Sequence, residues 1–176
     1  SNRLKKIRTE IISPTQSAFV PGRLISDNIL LAYEITHYLR NKRRGDLGYA
    51  TIKLDISKVY DMVEWFFVEN VMYKMGFHKK WIDLILKCIS TVKYLVKVNG
   101  ALSDTFVPER GLRQGDPLSP MLFILAMEPL HRLLDAATDR GLLQTIGSEP
   151  IRMRTSIYAD DAALFLCPCS QDLANV

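Results

Sequence analysis

Apolar residues recur along this chain at two spacings, one typical of helices and the other typical of strands. The helical spacing, with an apolar residue at every third or fourth position, predicts amphipathic helices. They cover residues 3–12, 26–40, 63–75 and 80–90, and a long segment that opens at 117–120 and runs to 136. In the fourth helix the spacing predicts that Trp81, Leu84, Ile85 and Cys88 face the core.

Shorter runs rich in β-branched and other apolar residues predict strands. They lie at 49–55, 93–98, 105–107, 151–157 and 162–166. Asn99-Gly100 favours a tight hairpin between the second and third runs. The last two runs flank Tyr158-Ala159-Asp160-Asp161, so we expect this tetrad at the tip of another hairpin. Helices mixed with antiparallel hairpins predict an α+β fold with helices packed on one face of a sheet.

Composition changes this picture little. The chain has 176 residues, of which 48% are apolar and 24% charged, as expected for one globular domain. It contains no run of eighteen apolar residues and no signal-like segment, so we expect an intracellular protein of the nucleus or cytoplasm without a membrane span. The odd number of cysteines, three, predicts reduced thiols.

Positive charge is concentrated near the start of the chain. Residues 1–49 hold nine lysines and arginines against four acids, whereas the whole chain has a net charge of only +4. Such a basic region suits the binding of a phosphate polymer, because lysine and arginine displace its condensed counterions. A solvated helix face explains the cluster at 40–44 equally well.

Three carboxylates are the candidate catalytic groups. Asp55 ends the predicted strand 49–55, and Asp160 and Asp161 lie at the predicted hairpin tip. Adjacent acids in a hairpin often serve only the turn. Beside apolar strands, however, two like charges repel each other unless a cation intervenes. Oxygen ligands suit Mg²⁺, and a pair of such ions supports nucleotidyl transfer, so we expect Asp55 and Asp160 to converge.

Four segments carry a resemblance to a known family. In order and spacing they resemble the central motifs of reverse transcriptases, most closely those of plant-type non-LTR (LINE-like) retrotransposons, and the resemblance covers nearly the whole chain. They read Gln16-Ser17-Ala18-Phe19-Val20-Pro21-Gly22-Arg23 with Asp27-Asn28, Lys53-Leu54-Asp55-Ile56-Ser57-Lys58-Val59-Tyr60-Asp61, Gly111-Leu112-Arg113-Gln114-Gly115-Asp116-Pro117-Leu118-Ser119-Pro120, and Tyr158-Ala159-Asp160-Asp161.

The resemblance implies a catalytic centre with two Mg²⁺ ions, for which Mn²⁺ can substitute. Asp55 and Asp160 would be the shared metal ligands and Asp161 a weaker one, with the Ile56 carbonyl completing the coordination. Lys53 is assigned no catalytic role.

The resemblance also implies a nucleotide site. Tyr60 would lie beneath the incoming sugar and exclude a 2′-hydroxyl, although a tyrosine of the core is the alternative. Gln114 and Gly115 would hold the nucleotide, and Arg23 would contact the triphosphate or the template. The implied partners are an RNA template, a DNA primer and deoxynucleoside triphosphates. An RNA polymerase is disfavoured, because Tyr60 would exclude ribonucleotides.

The implied protein is an RNA-directed DNA polymerase fragment truncated at both ends, with partial fingers at 1–48 and palm at 49–176. Because the family's thumb would follow the last residue, we expect the isolated fragment to be inactive. Val59 and Met62 replace the small residue and the arginine usual in the family. They leave open the alternative of a catalytically inactive nucleic-acid-binding remnant of a retroelement.

Overall fold

A computed structural model describes residues 10–14, 16–41, 50–56, 58–144, 155–158, 161–167 and 169–175. Its helices are Ile25–Asn41 (α1), Val59–Met62 (α2), Trp65–Lys74 (α3), Lys79–Ser90 (α4), Ser119–Asp139 (α5) and Ser170–Asn175 (α6). Its strands are Ala50–Asp55 (β1), Lys97–Val98 (β2), Ala101–Leu102 (β3), Thr155–Tyr158 (β4) and Asp161–Leu166 (β5). Helices combined with antiparallel sheets confirm the predicted α+β class.

Two predicted elements are described only in part. The predicted helix 3–12 lies mostly outside the described residues, and Glu10 and Ile11 are its helical part. The predicted strand 151–157 is described from Thr155 onward. Among the described residues, no helix is both long enough and apolar enough to cross a membrane.

The larger sheet has the strand order β1-β5-β4, and both pairings are antiparallel. β5 is therefore the central strand, with Leu164 opposite Ile52 on β1 and opposite Thr155 on β4. At its first residue, Asp161 is opposite Asp55 on one side and Tyr158 on the other. The predicted hairpin of the last two strands is confirmed, and its tip at 159–160 lies outside the described residues.

The chain forms two compact units, one of residues 2–57 with 127–176 and the other of residues 58–126. The first unit contains the larger sheet. Alternate residues of the strands present apolar side chains on one face of that sheet. Residues 127–139 of α5 pack against this face. The buried cluster consists of Leu134, Leu143, Leu164 and Leu166, with Ile52, Leu130 and Ala137 packed against it.

A polar network fastens the segment before α1 to the same unit. The buried carboxylate of Glu128 accepts hydrogen bonds from Ser13 N at 2.9 Å and from Arg132 Nε at 3.0 Å. Asn28 donates from Nδ2 to the carbonyl of Ile157 on β4 at 2.7 Å, and the Ser17 hydroxyl bonds to Asn28 Oδ1. Buried polar groups must be paired, so these bonds hold Ser13, Ser17 and Asn28 in place within this unit.

In the second unit, α3 and α4 pack through apolar stripes. The inward residues of α4 are Ile82, Ile85 and Ile89, spaced as one helix face. The prediction for Ile85 is confirmed, but Leu84 is 50% exposed and Cys88 is also exposed, so the prediction that they face the core was wrong. The helix is apolar over a wide arc, so its sequence does not show which part of that arc packs against α3.

The smaller sheet is a hairpin of β2 and β3, which confirms the predicted turn at Asn99-Gly100. Its second strand is Ala101–Leu102, so the predicted strand at 105–107 was wrong. Asn99 and Gly100 form its turn with φ of 49° and 89°, the positive values that a tight hairpin turn requires. Beyond the strands, Tyr94 and Phe106 form an isolated antiparallel bridge that extends the hairpin.

The loop after this hairpin is anchored to the turn that follows α2. Gly111 N donates to Val63 O at 2.8 Å, Leu112 N donates to Tyr60 O at 2.7 Å, and Trp65 Nε1 donates to Gly111 O at 2.7 Å. Gly111 has φ of 92°, and a Cβ there would lie 3.0 Å from Asp61 O. A glycine is therefore required both by the backbone conformation and by the close approach.

Replacing Gly111 tests this anchoring. Gly111→Ala is expected to lower the free energy of unfolding by about 2–4 kcal/mol, the sum of backbone strain and steric overlap. Gly100→Ala is the matched control, because Gly100 has φ of 89° but open space around a Cβ, and we expect it to cost only about 1 kcal/mol. Urea denaturation of both variants measures the difference, and equal losses would contradict the role of the Asp61 contact.

Candidate active site

Strand pairing brings Asp55 and Asp161 together. Asp55 is the last residue of β1 and Asp161 the first of β5, and they are direct partners across the antiparallel ladder. Side chains of directly opposed residues point to the same face of a sheet, with Cβ atoms about 5 Å apart. Both residues are exposed, so two carboxylates from distant parts of the sequence lie side by side at an open sheet end.

Lys53 completes this group. Two residues before Asp55 on β1, it points to the same face, and its Nζ lies 2.9 Å from Asp161 Oδ1. Its register partner is Ala163, so the ion pair runs diagonally across the two strands. This pair was not predicted from the sequence, although the alternation of side chains along β1 places Lys53 and Asp55 on one face.

The neighbouring acids raise the pKa of Lys53. The pKa of its ammonium group is raised, first by the hydrogen bond to Asp161, next by the charge of Asp161, and to a smaller extent by that of Asp55. The group is fully exposed, so solvent screens the pair. The raised pKa indicates that this end of the sheet attracts cations.

The donor set fits a hard divalent cation. Asp55 and Asp161 offer only oxygen atoms, and their open position leaves room for further ligands. Ile56 follows directly after β1 and is half-buried, and the role of its carbonyl as a metal ligand stays a prediction. Asp160, the second predicted shared ligand, lies outside the described residues. The described residues alone contain no group of three metal-binding side chains.

Tyr60 lies in the other unit, on α2. Its ring stacks on Phe123 with a centroid distance of 4.7 Å and an interplanar angle of 23°, and one side of the ring is thereby fixed. Its carbonyl accepts the bond from Leu112 N that anchors the following loop. The ring is half-buried, which suits both a core tyrosine and a gate, so the predicted role in sugar selection stays a prediction.

Gln114 and Gly115 form an exposed turn just before α5 in the same unit as Tyr60. Gly115 has φ of 85°, which favours glycine, and a Cβ there would meet open space. Asp116 Oδ1 accepts a bond from Leu118 N at 2.7 Å, which shapes the chain as it enters the helix. The turn thus presents an amide side chain and bare backbone to solvent, and nucleotide binding stays a prediction.

Arg23 forms hydrogen bonds with backbone carbonyls, which the sequence does not predict. Its guanidinium donates to the carbonyl of Gln16 at 2.6 Å, to that of Ile12 at 3.2 Å and to that of Ser13. Because it binds these three carbonyls, Arg23 holds Ile12, Ser13 and Gln16 close to the start of α1. No sequence signal distinguishes such an arginine from one that grips phosphate, and the phosphate contact stays a prediction.

In the described residues, the antiparallel sheet makes two acids direct partners, Asp55 at the end of β1 and Asp161 at the start of β5. Residues 1–175 match the family described as "Reverse transcriptase (RNA-dependent DNA polymerase)". The chain belongs to the reverse transcriptase family, and the predicted family is confirmed.

Two relatives in sequence come from transposable elements. The chain is 34% identical over 177 residues to the uncharacterized 149 kDa protein of transposon TX1 from Xenopus laevis, covering 100% of this chain and 13% of that protein. It is 28% identical over 152 residues to the Pol polyprotein of the retrotransposable element R2DM from Drosophila melanogaster, covering 86% of this chain and 14% of the polyprotein. The chain therefore spans about one seventh of the length of these relatives.

A solved structure shows the same fold. Telomerase from Candida albicans, in complex with a fragment of telomeric RNA, matches with a TM-score of 0.60 and 15% identity. The match covers 96% of this chain and 29% of the telomerase chain. The match shows that this chain and the telomerase chain share their α+β fold.

The pairing of Lys53 with Asp161 yields a titration test. Asp161→Asn is expected to lower the Lys53 pKa toward the ordinary lysine value, because the charge of Asp161 is removed and the hydrogen bond to Lys53 loses its ionic partner. Asp55→Asn, the control, should lower it less. Because the pKa is raised, the stabilising effect of the pair is present below about pH 10.4 and is lost as the pH rises through the folded-state value. NMR titration of the lysine side chain measures the shift, and equal effects of the two variants would contradict the assignment.

Proposed function

We propose that this chain contains the catalytic centre of an RNA-directed DNA polymerase from a non-LTR (LINE-like) retrotransposon. The observation that carries the proposal is the pairing of Asp55 with Asp161, which puts two motif acids side by side at the end of an open sheet. Paired carboxylates serve several reactions, and membership of the reverse transcriptase family supports nucleotidyl transfer among them.

The reaction forms one phosphodiester bond. The 3′-hydroxyl oxygen of a DNA primer attacks the α-phosphate of a deoxynucleoside triphosphate selected by an RNA template. The bond to the β-phosphate breaks, pyrophosphate leaves, and the proton of the hydroxyl passes to solvent. When bound, two Mg²⁺ ions, or Mn²⁺ in their place, supply positive charge for the attacking and departing oxygens.

Within this reaction each residue has a separate role. Asp55 and Asp160 would hold both ions, with Asp161 and the Ile56 carbonyl as additional ligands. Lys53, which pairs with Asp161 at 2.9 Å, would keep that carboxylate oriented before the metal binds. Tyr60 would select deoxyribose, Gln114 and Gly115 would hold the nucleotide, and Arg23 would act mainly by shaping the segment that carries it.

The wider organisation is also a proposal. Residues 1–48 would belong to the fingers and 49–176 to the palm, and the remainder of a polyprotein would supply the thumb. A polymerase that copies the RNA of an element works where that RNA and the target DNA are found, so we propose a location in the nucleus or cytoplasm.

Primer extension tests the metal ligands. In a longer polyprotein segment that contains this chain, Asp55→Asn or Asp160→Asn should reduce extension on an RNA template by at least about a hundredfold, because several kcal/mol of charge stabilisation is lost. Asp139→Asn is the matched control, since Asp139 is exposed at the end of α5 and should have no effect. Full activity of Asp160→Asn would refute the metal assignment. Template binding without any extension by the unmodified segment would favour the inactive remnant.

Sugar selection tests Tyr60 separately. Tyr60→Ala should raise incorporation of ribonucleotides relative to deoxynucleotides by about tenfold or more, because the ring that would collide with the 2′-hydroxyl is gone. Tyr60→Phe keeps the ring and its stacking on Phe123, and should keep the sugar preference. The ratio of kcat/KM values for the two nucleotides is the measurement. An unchanged ratio in Tyr60→Ala, accompanied by a lower melting temperature, would make Tyr60 a core residue only.

A further inference from the structure

The indole of Trp65 joins two segments that are far apart in the sequence. Trp65 is the first residue of α3, and its Nε1–H donates to the carbonyl of Gly111 at 2.7 Å. The bond is part-buried and connects residues 46 positions apart, both of them within residues 58–126. It ends three residues before Gln114, and the reaction proposed above gives Trp65 no role.

Two further hydrogen bonds at this contact are made by backbone atoms alone. Gly111 N donates to Val63 O at 2.8 Å, and Leu112 N donates to Tyr60 O at 2.7 Å. Of the three bonds that hold Gly111 and Leu112 here, the one from Trp65 is therefore the one that a side chain makes. The strength of the contact depends on the residue type at position 65.

A second contact between side chains lies next to the indole bond and is weaker. Arg110 Nη1 donates to Glu64 Oε1 at 3.1 Å, and both side chains are about half exposed. An exposed ion pair stabilises little, because solvent screens the charges and two long side chains lose freedom. The bond from Trp65 is uncharged and part-buried, so water competes with it less. The hold on the loop therefore depends more on Trp65 than on Glu64.

The same loop is also held at its other end. Asp116 Oδ1 accepts a hydrogen bond from Leu118 N at 2.7 Å, and α5 begins at the next residue, Ser119. Between the two held ends lie Gln114 and Gly115, which are exposed. A short segment that is fixed at both ends has lost much of its conformational freedom before a ligand arrives.

We propose that Trp65 is a positioning residue for nucleotide binding, whose indole N–H holds the Gly111 carbonyl and thereby keeps Gln114 and Gly115 in the conformation that receives the deoxynucleoside triphosphate. The inference deepens the proposed function and rests on it, since it requires that Gln114 and Gly115 bind the nucleotide. Without the indole bond, part of the binding free energy is spent on ordering the loop. Loss of the bond therefore raises KM for the nucleotide and leaves kcat unchanged.

Equilibrium dialysis of tritiated dTTP tests the inference without turnover. It uses the longer polyprotein segment with Mg²⁺, an RNA template and a primer that ends in a dideoxynucleotide. Trp65→Phe keeps an aromatic ring but removes the N–H, and should weaken dTTP binding about fivefold, the effect of one hydrogen bond. Trp65→His should restore most of the affinity, because the imidazole Nε2–H can take the place of the indole Nε1–H. The control Glu64→Gln breaks only the exposed ion pair and should bind dTTP normally.

Hydrogen–deuterium exchange measures the loop itself. Amides of residues 111–116 should exchange about fivefold faster in Trp65→Phe than in the unmodified chain, because the loop opens more often once the bond is lost. In Trp65→His they should exchange at nearly the unmodified rate. Trp81→Phe is the matched control, since it replaces the other tryptophan, on α4, and it should leave exchange of the loop unchanged. Equal exchange in Trp65→Phe and the unmodified chain would overturn the inference.

The remaining outcomes separate positioning from a purely structural role. Faster loop exchange with unchanged dTTP affinity in Trp65→Phe would overturn the inference, and so would equal losses of affinity in Trp65→Phe and Trp65→His. Absence of dTTP binding by the unmodified segment would overturn it together with the nucleotide role of Gln114 and Gly115. A segment that binds dTTP but extends no primer contradicts the polymerase proposal alone, because the Trp65 variants are still compared by their affinities.

Discussion

The antiparallel pairing of β1 with β5 is the constraint on which the candidate active site depends. Asp55 and Asp161 are more than a hundred residues apart in sequence, and only this register makes them neighbours. A slip of one residue would turn one carboxylate to the opposite face of the sheet, because side chains alternate along a strand. The same slip would expose the apolar residues that pack under α5, so burial of Leu164 and Leu166 enforces the register of the acids.

Apolar packing therefore positions the charged side chains of the candidate active site. The face of β5 that carries Ala162 and Leu164 is buried, and the opposite face begins with Asp161 and continues to Ala163 beside Lys53. Lys53 compensates part of the negative charge that this arrangement concentrates, at an exposed position where the interaction stays weak. Polar bonds from Asn28 and Glu128 then hold the preceding segment along the same unit, and Arg23 holds the carbonyls of that segment.

Local signals predicted most elements well. Proline and glycine marked helix ends, Asn99-Gly100 gave the hairpin, and the strand ending at Asp55 was located within one residue. Faces were harder to predict, as α4 shows: Leu84 and Ile85 are equally apolar, but only Ile85 is buried. Likewise, the sequence does not reveal that Arg23 would meet backbone carbonyls, because a guanidinium suits a carbonyl and a phosphate equally well.

By itself, the sequence determined the element types, the candidate acids and the family, since each is encoded in local spacing or in contiguous motifs. The tertiary structure alone decided which residues became neighbours: Asp55 opposite Asp161, Lys53 across to Asp161, Tyr60 on Phe123, and Tyr94 on Phe106. These pairs depend on strand register and on competition among apolar surfaces for burial. Both are properties of the whole fold, so no local stretch of the chain contains them.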